Sequence, residues 1–323
     1  MGDTQTTLRE LDDAGWDAGE AIRVLETWHE TTYTYKDAVQ LSSHVLRLRP
    51  VHDTSQELLD WRLYLSPSAP LRSFEDVFGN HVVQSEVRRE YHQLRVVAQA
   101  RVRLHGQRHP RLRAASNQSR LPLVWMPWQR QMMLPYLLPP ELPETQLREL
   151  SDYANGFVER QDQDLVATLQ DINETIRRDY AYKPASTDLM TSAYDVYATR
   201  RGVCQDFSNL FIALARLLNI PARYRVGYIH TGNTYANTRQ GDASHAWVEV
   251  YLPGVGWRGF DPTNGVLANL DHVRVACGRN YRDATPTERT LYKGGGGESL
   301  VVRVRVIDVT GREGDARFVA GKP

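Results

Sequence analysis

Arg201-Gly202-Val203-Cys204-Gln205-Asp206-Phe207 opens the stretch that decides the fold. From Cys204 to Leu218 the apolar residues Phe207, Leu210, Phe211, Leu214, Leu217 and Leu218 recur at helical spacing, and Asn219 and Pro221 end the run. Cys204 therefore stands at a predicted helix N-terminus. Unpaired N–H groups and the positive end of the macrodipole meet there. Both favour the thiolate, which is the nucleophilic form, and the same N–H groups can hold an oxyanion. Gly202 lets the chain turn tightly and keeps bulk away from the sulfur. The plain alternative is a small buried hydrophobe. That description suits Cys277 better, because Val275-Ala276-Cys277-Gly278 is small and apolar with no helix start beside it.

Strands are predicted downstream, over Ala222–Ile229, Ala246–Tyr251 and Gly256–Phe260. His245 opens the second of them after the polar loop Thr231–Ser244, and Asp261 ends the third. A histidine at a loop–strand junction can reach a cleft and partner a thiol. An aspartate can bind its other ring nitrogen and fix tautomer and orientation. If Leu252-Pro253-Gly254 is a three-residue hairpin loop, Gly254 takes the left-handed third position. Tyr251 then pairs with Val255, Glu249 with Trp257, Trp247 with Gly259, and His245 with Asp261. A slip of one residue would move Asp261 to the other face. The expectation is an imidazole–carboxylate separation within about 4 Å. The competing reading is two unrelated polar residues at strand ends.

Upstream, Leu165, Leu169, Ile172 and Ile176 mark one face of an amphipathic helix in a region of helical spacing that begins near residue 145. Pro122, Pro127, Pro135, Pro139, Pro140 and Pro143 predict an extended connector, since proline lacks the N–H that helices and ladders need. The Arg- and His-rich strip Gln107–Arg120 reads as a solvated linker, with no interleaved aromatic residue to stack on bases. Earlier still the period is two. Leu59, Trp61, Leu63 and Leu65 share a face, as do Leu94, Val96, Ala98, Ala100, Val102 and Leu104, opposite Arg95, Gln99, Arg101 and Arg103. Such strands are expected to have one face on a core and one in water, with Phe78-Gly79-Asn80 a turn. Val302, Val304 and Val306 alternate with Arg303 and Arg305, as in an edge or surface strand. The resulting division is an N-terminal arm (1–19), an all-β domain (20–108), a Pro-rich linker (109–144), a core (145–270) and C-terminal β strands completing the fold (271–323).

The chain has 323 residues, with 39 Lys+Arg against 39 Asp+Glu. That balance offers no global field to draw nucleic acid or an anionic membrane. Two cysteines exclude a disulfide framework and fit a reducing compartment. The acidic start is not a signal peptide, and no run reaches the roughly 18 apolar residues of a spanning helix. Gly2 with Thr6 matches a myristoylation pattern that is short enough to arise by chance. A cytoplasmic location is the expectation.

Four segments together resemble the bacterial transglutaminase-like cysteine protease family. They are Arg200 to Phe207, Ile220-Pro221-Ala222-Arg223-Tyr224, Ser244 to Val250, and Gly256 to Gly265. His44 to Pro50 is similar to the β domain that precedes the core in that family. The resemblance implies an α+β fold: an N-terminal all-β domain, then a papain/transglutaminase-like catalytic core with the cysteine helix packed on an antiparallel sheet. It implies Cys204 as nucleophile, His245 as general base and acid, and Asp261 as orienting acid, with no cofactor, no metal and a bacterial origin. The family usually has an acidic residue where Asn280 stands. The expected chemistry is amide or peptide hydrolysis through a thioester on a protein or peptide substrate. The alternatives are a crosslinking protein-glutamine gamma-glutamyltransferase and a non-catalytic scaffold. No calcium loop of alternating Asp/Asn type is visible, which leans against animal-type crosslinking. Tyr194, Tyr197, Gln205, Trp247 and Trp257 are candidates to line an acyl-binding slot, with core packing the competing role for the aromatics.

Overall fold

The N-terminal half is organised by one long strand. In the computed structural model, which describes residues 21–106, 120–184, 191–232 and 244–311, Ala21–Leu46 forms β1, followed by β2 (Gln56–Ser66), β3 (Leu71–Glu75), β4 (His81–Val87) and β5 (Tyr91–Gly106). β5 pairs with the first part of β1 and β4 with the last part. The order is β2-β5-β1-β4-β3. The expected face of β5, Leu94 to Leu104, is buried. Its other face is not in water throughout: Gln99 and Arg101 are buried too, and Arg101 Nε donates to the buried Glu26 at 3.0 Å. The neighbouring strand explains this: β5 lies between β1 and β2, and Glu26 of β1 stands directly opposite Arg101 in the ladder, so the guanidinium is paired.

The expected extended linker instead contains a helix, α1 (Pro127–Leu137). Pro127 occupies its first turn, where a missing N–H costs nothing. Counting prolines without regard to position misread it. Trp125 Nε1 donates to the Asn219 carbonyl at 2.9 Å, and Asn219 Nδ2 donates to the Leu123 carbonyl at 2.9 Å, which fastens this segment to the core.

The core begins with α2 (Glu144–Arg160) and α3 (Leu165–Asp179). The Asp164 side chain caps α3 by accepting from the Ala167 N–H at 2.7 Å. Leu165, Leu169, Ile172 and Ile176, the predicted face, are fully buried. The short pair β6 (Ala181–Tyr182) and β7 (Arg201–Gly202) brackets α4 (Ala193–Thr199), and α5 (Cys204–Leu217) follows. Then come β8 (Ala222–Ile229), β9 (His245–Leu252), β10 (Gly256–Asp261), β11 (Val266–Leu267) and β12 (His272–Gly278), in the order β11-β10-β9-β8-β12. α5 lays Leu210, Phe211 and Leu214 on this antiparallel sheet, with the Phe211 and Phe260 rings 5.5 Å apart. After the short helix α6 (Tyr281–Ala284), β13 (Thr287–Gly294) and β14 (Glu298–Asp308) return to the first sheet and pair with β1. The two sheets share a core: Leu25, Val102, Leu104 and Val304 belong to the same apolar cluster as Phe207, Leu210 and Val248.

Side-chain amides from the N-terminal domain bind the backbone of β12. Gln56 exchanges two bonds of 2.8 Å with Arg274. Asn80 donates to the Cys277 carbonyl at 2.7 Å and accepts from its N–H at 2.8 Å. Asn80→Ala strands both of those buried backbone groups and is expected to lower stability by about 3 kcal/mol. Urea unfolding measures it, and a loss below about 0.5 kcal/mol would mean that water replaces the amide.

Residues 1–19, most of Gln107–Arg120 and most of the loop Thr231–Ser244 lie outside the described residues. No helix among the described residues is long and apolar enough to cross a membrane.

Candidate active site

Cys204 begins α5 and is half-buried, whereas Cys277 is buried with its sulfur 3.6 Å from the Phe78 carbonyl. The chain enters Cys204 along a fixed path. Arg200 adopts a left-handed backbone, and its guanidinium lies over the rings of Tyr153, Tyr180 and Tyr197, at 5.0, 4.7 and 4.8 Å. Gly202 then pairs with Tyr182 in the two-stranded β6–β7 sheet. The buried Asp206 carboxylate accepts from the Val203 N–H at 2.8 Å. A Cβ at position 202 would stand 2.7 Å from the Asp206 Cβ, so this approach demands glycine. A carboxylate in the first turn also suits the helix dipole.

His245 and Asp261 meet, with Nε2 and Oδ2 2.8 Å apart and both side chains fully buried. The hairpin that joins them differs from the predicted one. Leu252 pairs with Gly256, Tyr251 with Trp257 and Val248 with Phe260. The loop is Pro253-Gly254-Val255, one residue further along, with Gly254 at φ 70° and Gly256 at φ 84°. Two left-handed glycines flank Val255, and the expected register used only the first. The change moves the pairing by two positions, which preserves the face. Asp261 therefore reaches His245 diagonally.

Asp261 collects five donors. Oδ2 accepts from His245 Nε2, from Asn264 Nδ2 at 2.6 Å and from His272 Nε2 at 3.1 Å. Oδ1 accepts from the N–H groups of Thr263 at 3.0 Å and Asn264 at 3.2 Å. Burial pushes this carboxyl's pKa up. The His245 charge and the hydrogen bonds from both histidines outweigh burial and hold it well below the usual range. Burial likewise pushes His245 down, but the Asp261 charge and hydrogen bond, with help from Cys204, raise it to about 10. An ionised carboxylate can only accept, so His245 Nε2 carries a proton. His245 Nδ1 has no hydrogen-bond partner among the described residues.

Trp247 lies under this pair. It is fully buried, its indole stacks 6.0 Å from the His245 ring, and it meets His272 edge-on at 5.2 Å. Gly227 on the flanking β8 makes room for it, since a Cβ there would strike the Trp247 ring and the Val273 carbonyl, whereas a Cβ at Gly259 on β10 would strike Ala268.

The remaining sequence candidates scatter. Gln205 follows Cys204 and is half-buried. Tyr194 and Tyr197 have ring centroids 5.9 Å apart on α4, and the Tyr194 hydroxyl donates to Glu149 at 2.7 Å. Trp257 sits at the turn end of the hairpin among Tyr251, Tyr136 and Arg223. His272 and Asn264 were not singled out from sequence. Asn264 falls inside a quoted motif, and His272 opens a strand as His245 does. A ligand atom from each of His245, Asp261 and His272 lies within 4.8 Å of the others, a spacing a cation could bridge. Here both imidazoles address the carboxylate by hydrogen bonds instead. A surface cavity of about 560 Å³ beside β3 and β4 contains none of these residues.

Residues 151–262 match the transglutaminase-like superfamily core, and residues 25–103 match the bacterial transglutaminase-like N-terminal region. An uncharacterized protein of Mycobacterium tuberculosis is 31% identical over 306 residues, covering 89% of this chain and 93% of that one. A Pseudomonas aeruginosa protein-glutamine gamma-glutamyltransferase is 34% identical over 88 residues, 26% of this chain and 13% of that one. Among solved structures, a candidate cysteine protease from Cytophaga hutchinsonii has a TM-score of 0.71 at 23% identity, covering 94% of each chain, a likeness of fold. The chain belongs to the transglutaminase-like superfamily, with the bacterial N-terminal region preceding the core.

Proposed function

We propose that this protein is a thiol enzyme that cleaves an amide through a thioester, with Cys204 as nucleophile, His245 as acid and base, and Asp261 as its orienting partner. The observation that carries the proposal is the buried 2.8 Å bond between His245 and Asp261, beside a half-buried cysteine at a helix start. A carboxylate on Nε2 leaves Nδ1 as the nitrogen that exchanges a proton with the thiol. The Cys204 thiolate attacks the carbonyl carbon, and the Cys204 N–H at the helix start helps hold the oxyanion. As the C–N bond breaks, His245 gives its Nδ1 proton to the leaving amine. Water then attacks the thioester while His245 takes a proton from it, and as the C–S bond breaks the carboxylic acid leaves and the Cys204 thiolate is restored beside the protonated imidazole.

The substrate is a protein or peptide amide, in keeping with the superfamily. Hydrolysis is preferred to transfer because water is always at high concentration. Incubating amides with and without a primary amine separates the two: amine incorporation without net hydrolysis would make the protein a transferase.

Limiting iodoacetamide, mapped by mass spectrometry, tests the nucleophile directly. Cys204 is expected to be alkylated at least about 10-fold faster than Cys277 near neutral pH, and His245→Ala to abolish the difference. Equal rates for the two thiols would return the fold to a non-catalytic scaffold.

A further inference from the structure

We propose that His272 is a positioning residue of this site: an uncharged N–H donor that holds Asp261 in the orientation His245 requires. The proposal rests on the triad reading above and adds a member on a different strand.

The tautomer follows from the bonds. The Asn269 N–H, whose direction the peptide plane fixes, donates to His272 Nδ1 at 3.2 Å, which places a lone pair there; Asn269 Oδ1 lies 3.3 Å from the same nitrogen but accepts its shorter bond, 2.8 Å, from the Asp271 N–H. The ring proton of the neutral imidazole is then on Nε2, which lies 3.1 Å from Asp261 Oδ2. His272 is buried, and burial outweighs the attraction of Asp261 and favours its neutral form. The other charged groups nearby are His245, 6.2 Å away between ring centroids, and Asp271, which is engaged by Arg23. Two imidazoles thus share one carboxylate oxygen in different states: His245 exchanges charge with the reaction, and His272 does not.

The backbone makes His272 a rigid anchor. It opens β12, pairs with Ile229 of β8, and its N–H donates to the Asn269 carbonyl at 3.0 Å. Two residues on, Gln56 binds both backbone groups of Arg274. Asp261 stands at the end of β10, where the β9 pairing stops at Phe260. Its remaining donors are His245 and two residues of its own turn, Thr263 and Asn264. His272 is therefore the donor to Asp261 that comes from another strand and takes no part in the proton transfer.

The test uses the full chain. Long-range imidazole nitrogen NMR on histidine-labelled protein should show His272 as the neutral Nε2–H form from about pH 6.5, the ordinary imidazole value, to about pH 9. Titration in that range, or the Nδ1–H form, would overturn the proposal. On an amide substrate, His272→Phe is expected to lower kcat by about 10- to 100-fold with KM nearly unchanged. His272→Gln, which restores an N–H donor, should recover most of the loss. Wild-type kcat in His272→Phe, or no recovery in His272→Gln at an unchanged unfolding midpoint, would count against it. A wild type inert toward every amide would remove the triad reading, while the NMR result still decides the bond.

Discussion

Asp261→Asn is expected to reduce turnover by about 10,000-fold while preserving side-chain shape, because it attacks both the tautomer and the charge of His245. Oδ2 accepts from His245, His272 and Asn264, and Oδ1 from two backbone N–H groups. An asparagine must turn its NH2 toward one of these sets, donor against donor, in a fully buried place. Removing one partner of a buried charged pair costs about 3 to 5 kcal/mol, so the unfolding midpoint should fall with the activity. The pair also gives stability a pH signature. His245 is raised from 6.5 to about 10 in the folded protein. Its contribution is therefore complete below its unfolded value and fades as pH rises toward 10. Asp261 is depressed, so its contribution is present above its unfolded value of 3.8 and is lost as pH falls. Wild type minus Asp261→Asn stability, followed by calorimetry, should be largest between those limits. Turnover within about 10-fold of wild type would remove Asp261 from the mechanism.

Trp247→Ala is the second large effect, expected to cost about 3 to 5 kcal/mol. The indole is fully buried beneath His245 and against His272, on a strand whose neighbour β8 supplies Gly227 to clear space for it. Nothing beside it can collapse into the void without dragging β8 or β10 inward, so the cavity term is large. Its loss also removes the surface on which the imidazole rests. Turnover should fall more than stability alone explains, and Trp247→Phe should recover part of both. Denaturant unfolding and kinetics on the same preparations decide it. A cost under about 1 kcal/mol would mean that this part of the core is loosely packed.

Where the sequence was legible, a local rule met a global one. Leu165, Leu169, Ile172 and Ile176 were read as a buried helical face, and they are buried because spacing and burial coincide there. β8 to β10 were legible from turn residues and β-branched runs. His245 and Asp261 were brought to one face even though the hairpin register was two positions off, since side-chain direction has a period of two and tolerates that error. The failures have a common cause in position. Pro127 is harmless in the first turn of a helix, which a proline count cannot express. Arg101 reads as a solvent-facing charge until its strand proves central and Glu26 lies opposite it. His272 is 11 residues from Asp261 in sequence, with no spacing rule to link them, and only the sheet order brings them together.

The pairing of β13 and β14 with β1 bears on how the protein is made. β1 finds β5 and β4 soon after leaving the ribosome, but its remaining ladder groups face strands that begin at Thr287 and Glu298. The whole helical section and the second sheet are translated in the interval. During it the first sheet carries an unfilled edge, the kind of surface that recruits stray strands. The final closure joins residues about as far apart in the chain as Thr27 and Val306, and such distant contacts form slowly. A ribosome stalled anywhere before Thr287 would therefore hold a nascent chain whose first sheet is still open. Trigger-factor-like holdases should bind such chains more persistently than the released full-length protein, in which β13 and β14 are free to pair with β1.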